Sequence, residues 1–161
     1  MPASDVNVKA KWTAIEVDYK VEIYKENADD DGYTLAFEET KRALAGSAVE
    51  YTEPLDFLEE EFSLNTSNPN TILEAIVAGD GSTVLKVYYN RARITIEITY
   101  NSLKSDEIIT VKFGASQYLP DPGEKEGHEF VEWQSLDGAI AETVPFVEKY
   151  EVYAVWNRLS Y

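Results

Sequence analysis

The chain has 161 residues and a mass of 18.2 kDa, room for one ordinary domain or two small ones. Acidic residues outnumber basic ones 30 to 14, and the formal charge of −16 repels nucleic-acid backbones and anionic membrane surfaces alike. Cysteine is absent and His128 is the single histidine, which removes disulfides, thiolate metal sites and most nucleophilic or imidazole chemistry.

A hydrophobic content of 44% with 12% aromatics excludes a disordered tail. No apolar run approaches the roughly 18 residues that a membrane-spanning helix needs. The opening Met-Pro-Ala-Ser carries neither the basic stretch nor the apolar segment of a signal peptide. A strand-like segment, Val6–Thr13 (VNVKAKWT), comes directly after it. It is expected to be the closing strand of a truncated preceding repeat, so the chain reads as an excised piece of a larger protein.

Period-two alternation, the signature of half-buried strands, dominates the rest of the chain. Val17, Tyr19, Val21 and Ile23 alternate with Asp18, Lys20 and Glu22. Further strands are predicted over Tyr33–Glu39, Val84–Tyr89, Ile94–Tyr100, Ile108–Phe113, Glu129–Trp133 and Lys149–Trp156. Clusters of Asp, Asn, Gly and Ser separate them at Asn27–Gly32, Asn65–Asn70, Gly79–Ser82, Asn101–Asp106 and Asp137–Gly138. One short acidic helix is predicted over Glu53–Phe62, where Leu55, Leu58 and Phe62 share a face. The expected class is α+β, mostly β.

Repetition organises the chain. Val6–Thr13, Val84–Arg91 (VLKVYYNR) and Tyr150–Asn157 (YEVYAVWN) are alternating strands that carry aromatics toward their ends. If each closes a module, residues 1–13 end a truncated repeat, 14–91 form one module and 92–161 another. Both are acidic: 8 basic against 18 acidic residues over 1–91, and 6 against 12 over 92–161. Modules this small bury only about 60% of their unfolded surface, so stacking on neighbours would help them. The passage Asn90–Arg93 has no glycine or proline, which predicts a short, stiff joint.

Several motifs in order carry a family resemblance. Leu119–Gly123 reads LPDPG, Gly127–Trp133 reads GHEFVEW and Val152–Trp156 reads VYAVW. This succession resembles the Listeria–Bacteroides repeat, or internalin B-repeat, over about 92–157. His128 stands where that family has an aromatic, and Glu132 where it has a second glycine. The stretches Tyr19–Leu35, Glu61–Asn65 and Gly79–Arg91 resemble a mucin-binding-protein-like surface repeat, with Glu61 in place of a glycine. The resemblance implies two tandem small β-grasp-like (ubiquitin-like) modules. It also implies a secreted or wall-attached, extracellular setting on a Gram-positive bacterium, with neighbouring repeats as partners.

Candidate sites are few. Asn27–Glu38 (NADDDGYTLAFE) fits the calcium-loop template with Asn at its first position. Asn27, Asp29, Asp31 and Glu38 would give side-chain oxygens and Tyr33 its carbonyl. Strands flank this loop where helices are needed, so a solvated hairpin turn is the plainer reading, and no cofactor is expected. His128 lacks a second ligand or a triad partner. Glu59, Glu60 and Glu61 invite a carboxylate-pair hydrolase reading, but nothing places them in a cleft. Leu119–Gly123 lacks the threonine and apolar tail of a wall-sorting signal. Trp12, Trp133 and Trp156 with the tyrosines could form an exposed sugar platform, but Trp133 and Trp156 are expected to face inward. The sequence does not sort Tyr88 or Tyr118 into exposed or buried, so no specific residue supports the platform.

The expected function is therefore non-catalytic: a stalk that presents a distal adhesive or catalytic region. The alternative is an adhesin module that itself binds host glycan, mucin or a protein receptor. Neither reading involves nucleic acid or membrane insertion.

Overall fold

The computed structural model describes residues 8–53 and 60–160. The first strand, β1 (Glu16–Glu26), runs into the Asn27–Gly32 turn, which the Asn27 amide closes on the Gly32 carbonyl at 2.8 Å. Strand β2 (Tyr33–Leu44) returns antiparallel along it. Short strands β3 (Ala48–Glu50), β4 (Phe62–Leu64) and β5 (Glu74–Ile76) come next, and β6 (Val84–Arg91) ends this part of the chain. Strand β6 lies parallel to β1 and antiparallel to β4, giving the order β2-β1-β6-β4, while β3 and β5 pair separately.

Ala92 alone separates β6 from β7 (Arg93–Thr99). Strand β8 (Glu107–Lys112) pairs antiparallel with β7, and β9 (His128–Ser135) and the two-residue β10 (Gly138–Ala139) come after it. The last strand, β11 (Lys149–Arg158), inserts between β7, parallel to it, and β9, antiparallel to it. The order is β10-β9-β11-β7-β8. Each sheet thus opens with an antiparallel pair and places its last strand beside its first. Val84–Arg91 and Tyr150–Asn157, alike in sequence, occupy equivalent positions.

Alternation decides which side chains are buried. Tyr19, Val21 and Ile23 of β1 join Leu85, Val87 and Tyr89 of β6 and Val77 in one core. Ile94, Ile96 and Ile98 of β7 join Tyr100, Val144 and Val152 in a second. The two clusters are separate, as two mixed sheets each filling its own interior require. Strand β6, central in its sheet, is covered on both faces, and Tyr88 is buried opposite Leu85 and Val87.

All seven strands predicted from alternation over 17–156 form, but the class differs from the expectation. No helix occurs among the described residues, and the fold there is all-β. Of the predicted helix Glu53–Phe62, residues 54–59 lie outside the described residues, and Phe62 opens β4. Of Val6–Thr13, Val6 and Asn7 lie outside them. Residues 8–13 form no strand, and Trp12 is 91% exposed. Strand β2 runs five residues past the predicted end at Glu39, through Thr40-Lys41-Arg42 to Leu44, because β1 offers a continuous ladder there.

Candidate functional site at the junction of the two sheets

The densest polar constellation gathers around Glu26, the last residue of β1. Strand β1 delivers its carboxylate to the point where β6 passes into β7, and the side chain is only 8% exposed. Arg93 grips it with two parallel bonds, Nη1 to Oε1 at 2.7 Å and Nη2 to Oε2 at 3.0 Å. The Arg91 amide donates to Oε1 at 3.0 Å, and Lys112 Nζ stands 3.6 Å from Oε2. Bidentate arginine–carboxylate pairs with further donors are the strong form of such contacts. Burial pushes this carboxyl up, but Arg93, the Arg91 amide and Lys112 outweigh it and hold it below the usual glutamate value. Its partner responds in kind: the hydrogen bond to Glu26 raises Arg93 further.

Arg91 and Lys112 tie the same point to both sheets. Arg91 donates from Nε to the Glu26 carbonyl at 2.6 Å and from Nη1 to the Phe113 carbonyl at 3.3 Å. Lys112, at the end of β8, donates to the Asn27 and Asp30 carbonyls at 3.2 and 2.7 Å. An aromatic series runs alongside. Phe62 meets Phe113 edge-on at 6.3 Å, Phe113 meets Phe146 at 5.9 Å, and the Arg91 guanidinium lies over the first two rings. Gly114 has a φ of +81°, and a Cβ there would stand 2.8 Å from Arg91 Nη1.

The residues of the calcium-loop pattern are not brought together. Asn27 donates from Nδ2 to Asp30 Oδ1 at 2.8 Å, and the Gly32 amide donates to the same oxygen at 2.8 Å. These bonds hold the Asp30 carboxyl below the usual aspartate value. Asp29 turns to the second sheet and accepts from the Ser116 amide and hydroxyl at 2.8 and 3.0 Å. Asp31 stands 3.9 Å from Lys112, the Tyr33 hydroxyl donates to Asn90, and Glu38 pairs with Lys20 at 3.2 Å well along β2. No group of three or more acidic or histidine side chains that could hold a metal ion occurs among the described residues. The loop is a turn whose carboxylates serve the turn and the joint.

Of the aromatic candidates, only Trp12 is largely exposed among the described residues. Tyr88 is buried, stacked on Tyr24 at 4.8 Å and met edge-on by Tyr33 at 5.2 Å. Tyr118 is half-buried and donates its hydroxyl to the Ala141 carbonyl. Trp133 and Trp156 pack on Phe130, and Trp156 Nε1 donates to the Tyr100 carbonyl at 2.8 Å. His128 opens β9 with Nδ1 2.8 Å from the Glu126 carbonyl. Of the carboxylate triplet, Glu59 lies outside the described residues, and the Glu61 carbonyl accepts the Ala92 amide at the joint. Glu132 pairs with Val155 on β9, beside the register shift between Val155 and Trp156, and its φ is not positive, so glycine's left-handed freedom is not used there.

Neither motif nor periodicity marks Glu26, Arg91, Arg93 or Lys112 as a group. Two arginines bracketing one residue, in a chain with 14 basic residues, are the one local signal. Their carboxylate partner lies 65 and 67 positions upstream, beyond any local pattern. No protein-family model matches the chain, and no curated protein matches it.

Proposed function

We propose that this chain is a non-catalytic spacer: two tandem β-grasp-like modules of a bacterial cell-surface protein. They would hold a distal adhesive or catalytic region away from the wall, with neighbouring repeats as partners and an extracellular setting. The mixed order, with the last strand parallel to the first at the centre of each sheet, is that of a β-grasp sheet and supports the module reading. The GHEFVEW motif on β9 and the VYAVW motif on β11 fall on adjacent strands, in keeping with the Listeria–Bacteroides resemblance.

The observation that carries the spacer reading is the joint. One residue links the sheets, and Glu26, Asp29, Arg91, Arg93 and Lys112 bond across it. A spacer must transmit length, and a clamped joint does so where a flexible linker would fold back. Small-angle X-ray scattering tests this: one fixed arrangement should fit the whole curve. A requirement for a broad range of angles between the sheets would overturn it.

The second reading, an adhesin that binds host glycan, mucin or a protein receptor, draws on the chain's aromatic content. Its tyrosine cluster at Tyr24, Tyr33 and Tyr88 stacks on itself, which favours the spacer. Binding to a mucin and glycan array at physiological salt separates the two. Silence from a folded sample sustains the spacer, and a saturable signal on one defined structure establishes the adhesin.

A further inference from the structure

Strand β2 forms the outer edge of the first sheet and is exposed on both faces from Thr34 to Arg42. It is 12 residues long, against a common length of about 5–6. Long uncovered edges are templates for another strand, and natural proteins blunt them with charge. Here the charges have an order: Glu38, Glu39, Thr40, Lys41, Arg42. Folded onto a second copy of itself antiparallel, with Thr40 opposite Thr40, this segment sets every acid against a base. Glu38 meets Arg42 and Glu39 meets Lys41, each twice by symmetry, and Phe37 meets Ala43. We propose that β2 of one copy pairs antiparallel with β2 of a second copy about a two-fold axis at Thr40. The two sheets would then join into one continuous sheet.

The backbone has the parity this requires. The Ala45 amide donates to the Ile15 carbonyl at 2.8 Å, which makes Ile15 and Ala45 a hydrogen-bonded pair. Alternation along the antiparallel ladder then turns the amides and carbonyls of Arg42, Thr40 and Glu38 away from β1, toward the open edge. Those are the residues that would exchange bonds with a partner centred on Thr40. The neighbouring registers that keep this parity are centred on Glu39 or Lys41, and each sets one of those charges against itself. Like charges directly opposite destabilise a strand pair.

The side chains extend an existing pattern. Within one copy Lys20 pairs with Glu38 at 3.2 Å and Asp18 with Arg42 at 3.4 Å. Self-pairing would set the partner's Arg42 beside Glu38 and the partner's Glu38 beside Arg42, giving alternating charge across four adjacent strands. On the other face Phe37, half exposed in the single copy, gains a neighbour. The net charge of −16 opposes approach, but the Debye length of about 8 Å at physiological ionic strength confines that repulsion. An edge contact this narrow sits at the low end of specific interfaces, so the dimer is weak.

Sedimentation equilibrium on the whole chain, from about 10 μM to about 1 mM in physiological salt, reads the proposal directly. The wild type should show a monomer–dimer equilibrium. Glu38→Lys with Glu39→Lys, and separately Lys41→Glu with Arg42→Glu, should each raise the dissociation constant about tenfold or more. An equimolar mixture of the two variants should restore dimers, now mixed. Thr40→Pro provides a second arm: it removes an amide that β1 does not use and should weaken the dimer without altering charge. A wild type that stays monomeric throughout overturns the proposal. So do charge-reversed variants that dimerise as the wild type does, or a mixture that fails to recover.

Discussion

Glu26 and Arg93 share two hydrogen bonds but not an environment: the carboxylate is 8% exposed and the guanidinium side chain 45%. Removing either partner therefore leaves a different orphan. Arg93→Met leaves a buried carboxylate with Lys112 at 3.6 Å and one amide, whereas Glu26→Gln leaves a guanidinium that reaches water. Arg93→Met is expected to cost about 2–3 kcal/mol and Glu26→Gln about 1–2 kcal/mol. Urea unfolding of both variants checks this, and the reverse order would contradict the burial argument.

The same carboxylate makes the joint sensitive to acid. Its folded pKa lies below the ordinary glutamate value of 4.5, so its contribution is complete above that pH and is lost as pH falls through the folded value. Asp30, lowered by its bonds to Asn27 and Gly32, and Asp80, lowered by Ser82, act in the same direction. Stability should fall with acidification below about pH 4.5, and Glu26→Gln should flatten part of that slope. Thermal melts of wild type and variant between neutral pH and about pH 3 decide it.

Gly114 holds a positive φ beside Arg91, and alanine there meets two obstacles. The left-handed backbone strains any side chain, and the new Cβ would push aside the guanidinium that bonds the Phe113 carbonyl. Gly114→Ala should destabilise by about 1–3 kcal/mol, read as a lower melting temperature. An unchanged melting point would mean the turn relaxes freely.

Calcium should leave the protein unmoved. Asp29, Asp30 and Asp31 already serve Ser116, the turn amides and Lys112, and Glu38 is held by Lys20 away from them. The expected outcome is the same melting temperature in millimolar calcium and in chelator. A clear rise with calcium would show that these contacts yield to the ion.

Asp29→Ala removes both bonds to Ser116 while leaving the turn's own bonds at Asp30 in place. The cost should be modest, about 0.5–1.5 kcal/mol, because the pair is exposed. Its sharper readout is geometric: scattering should broaden toward a wider spread of angles between the sheets. No broadening would show that the Asp29–Ser116 bonds do not hold the angle between the sheets.

Much of the sheet framework is legible in the sequence because alternation is local. Val17 to Ile23 and Ile94 to Tyr100 announce their strands within a few residues. The short strands β3, β5 and β10 have too few residues to show a period. The tail of β2 is hidden because Glu38 to Arg42 has charge on both faces, and only its pairing with β1 makes it a strand. The junction is invisible for another reason. Glu26 acquires its role from Arg93 and Lys112, which the fold brings to it across 67 and more positions. Alternation leaves Tyr88 unsorted, because it sits on the face opposite Leu85 and Val87 and only a strand covered on both faces buries it.

The parallel pairing of first and last strands has a mechanical meaning. In both sheets the strand by which the chain enters, β1 or β7, lies alongside the strand by which it leaves, β6 or β11. Tension along the chain therefore drags these neighbours past one another lengthwise. The rungs between them are loaded together rather than opened one at a time from an end, as a hairpin pulled at its two tips would be. From Lys20 to Lys25 in one sheet and from Lys149 to Tyr153 in the other, the ladder is a shear clamp placed where a pull arrives.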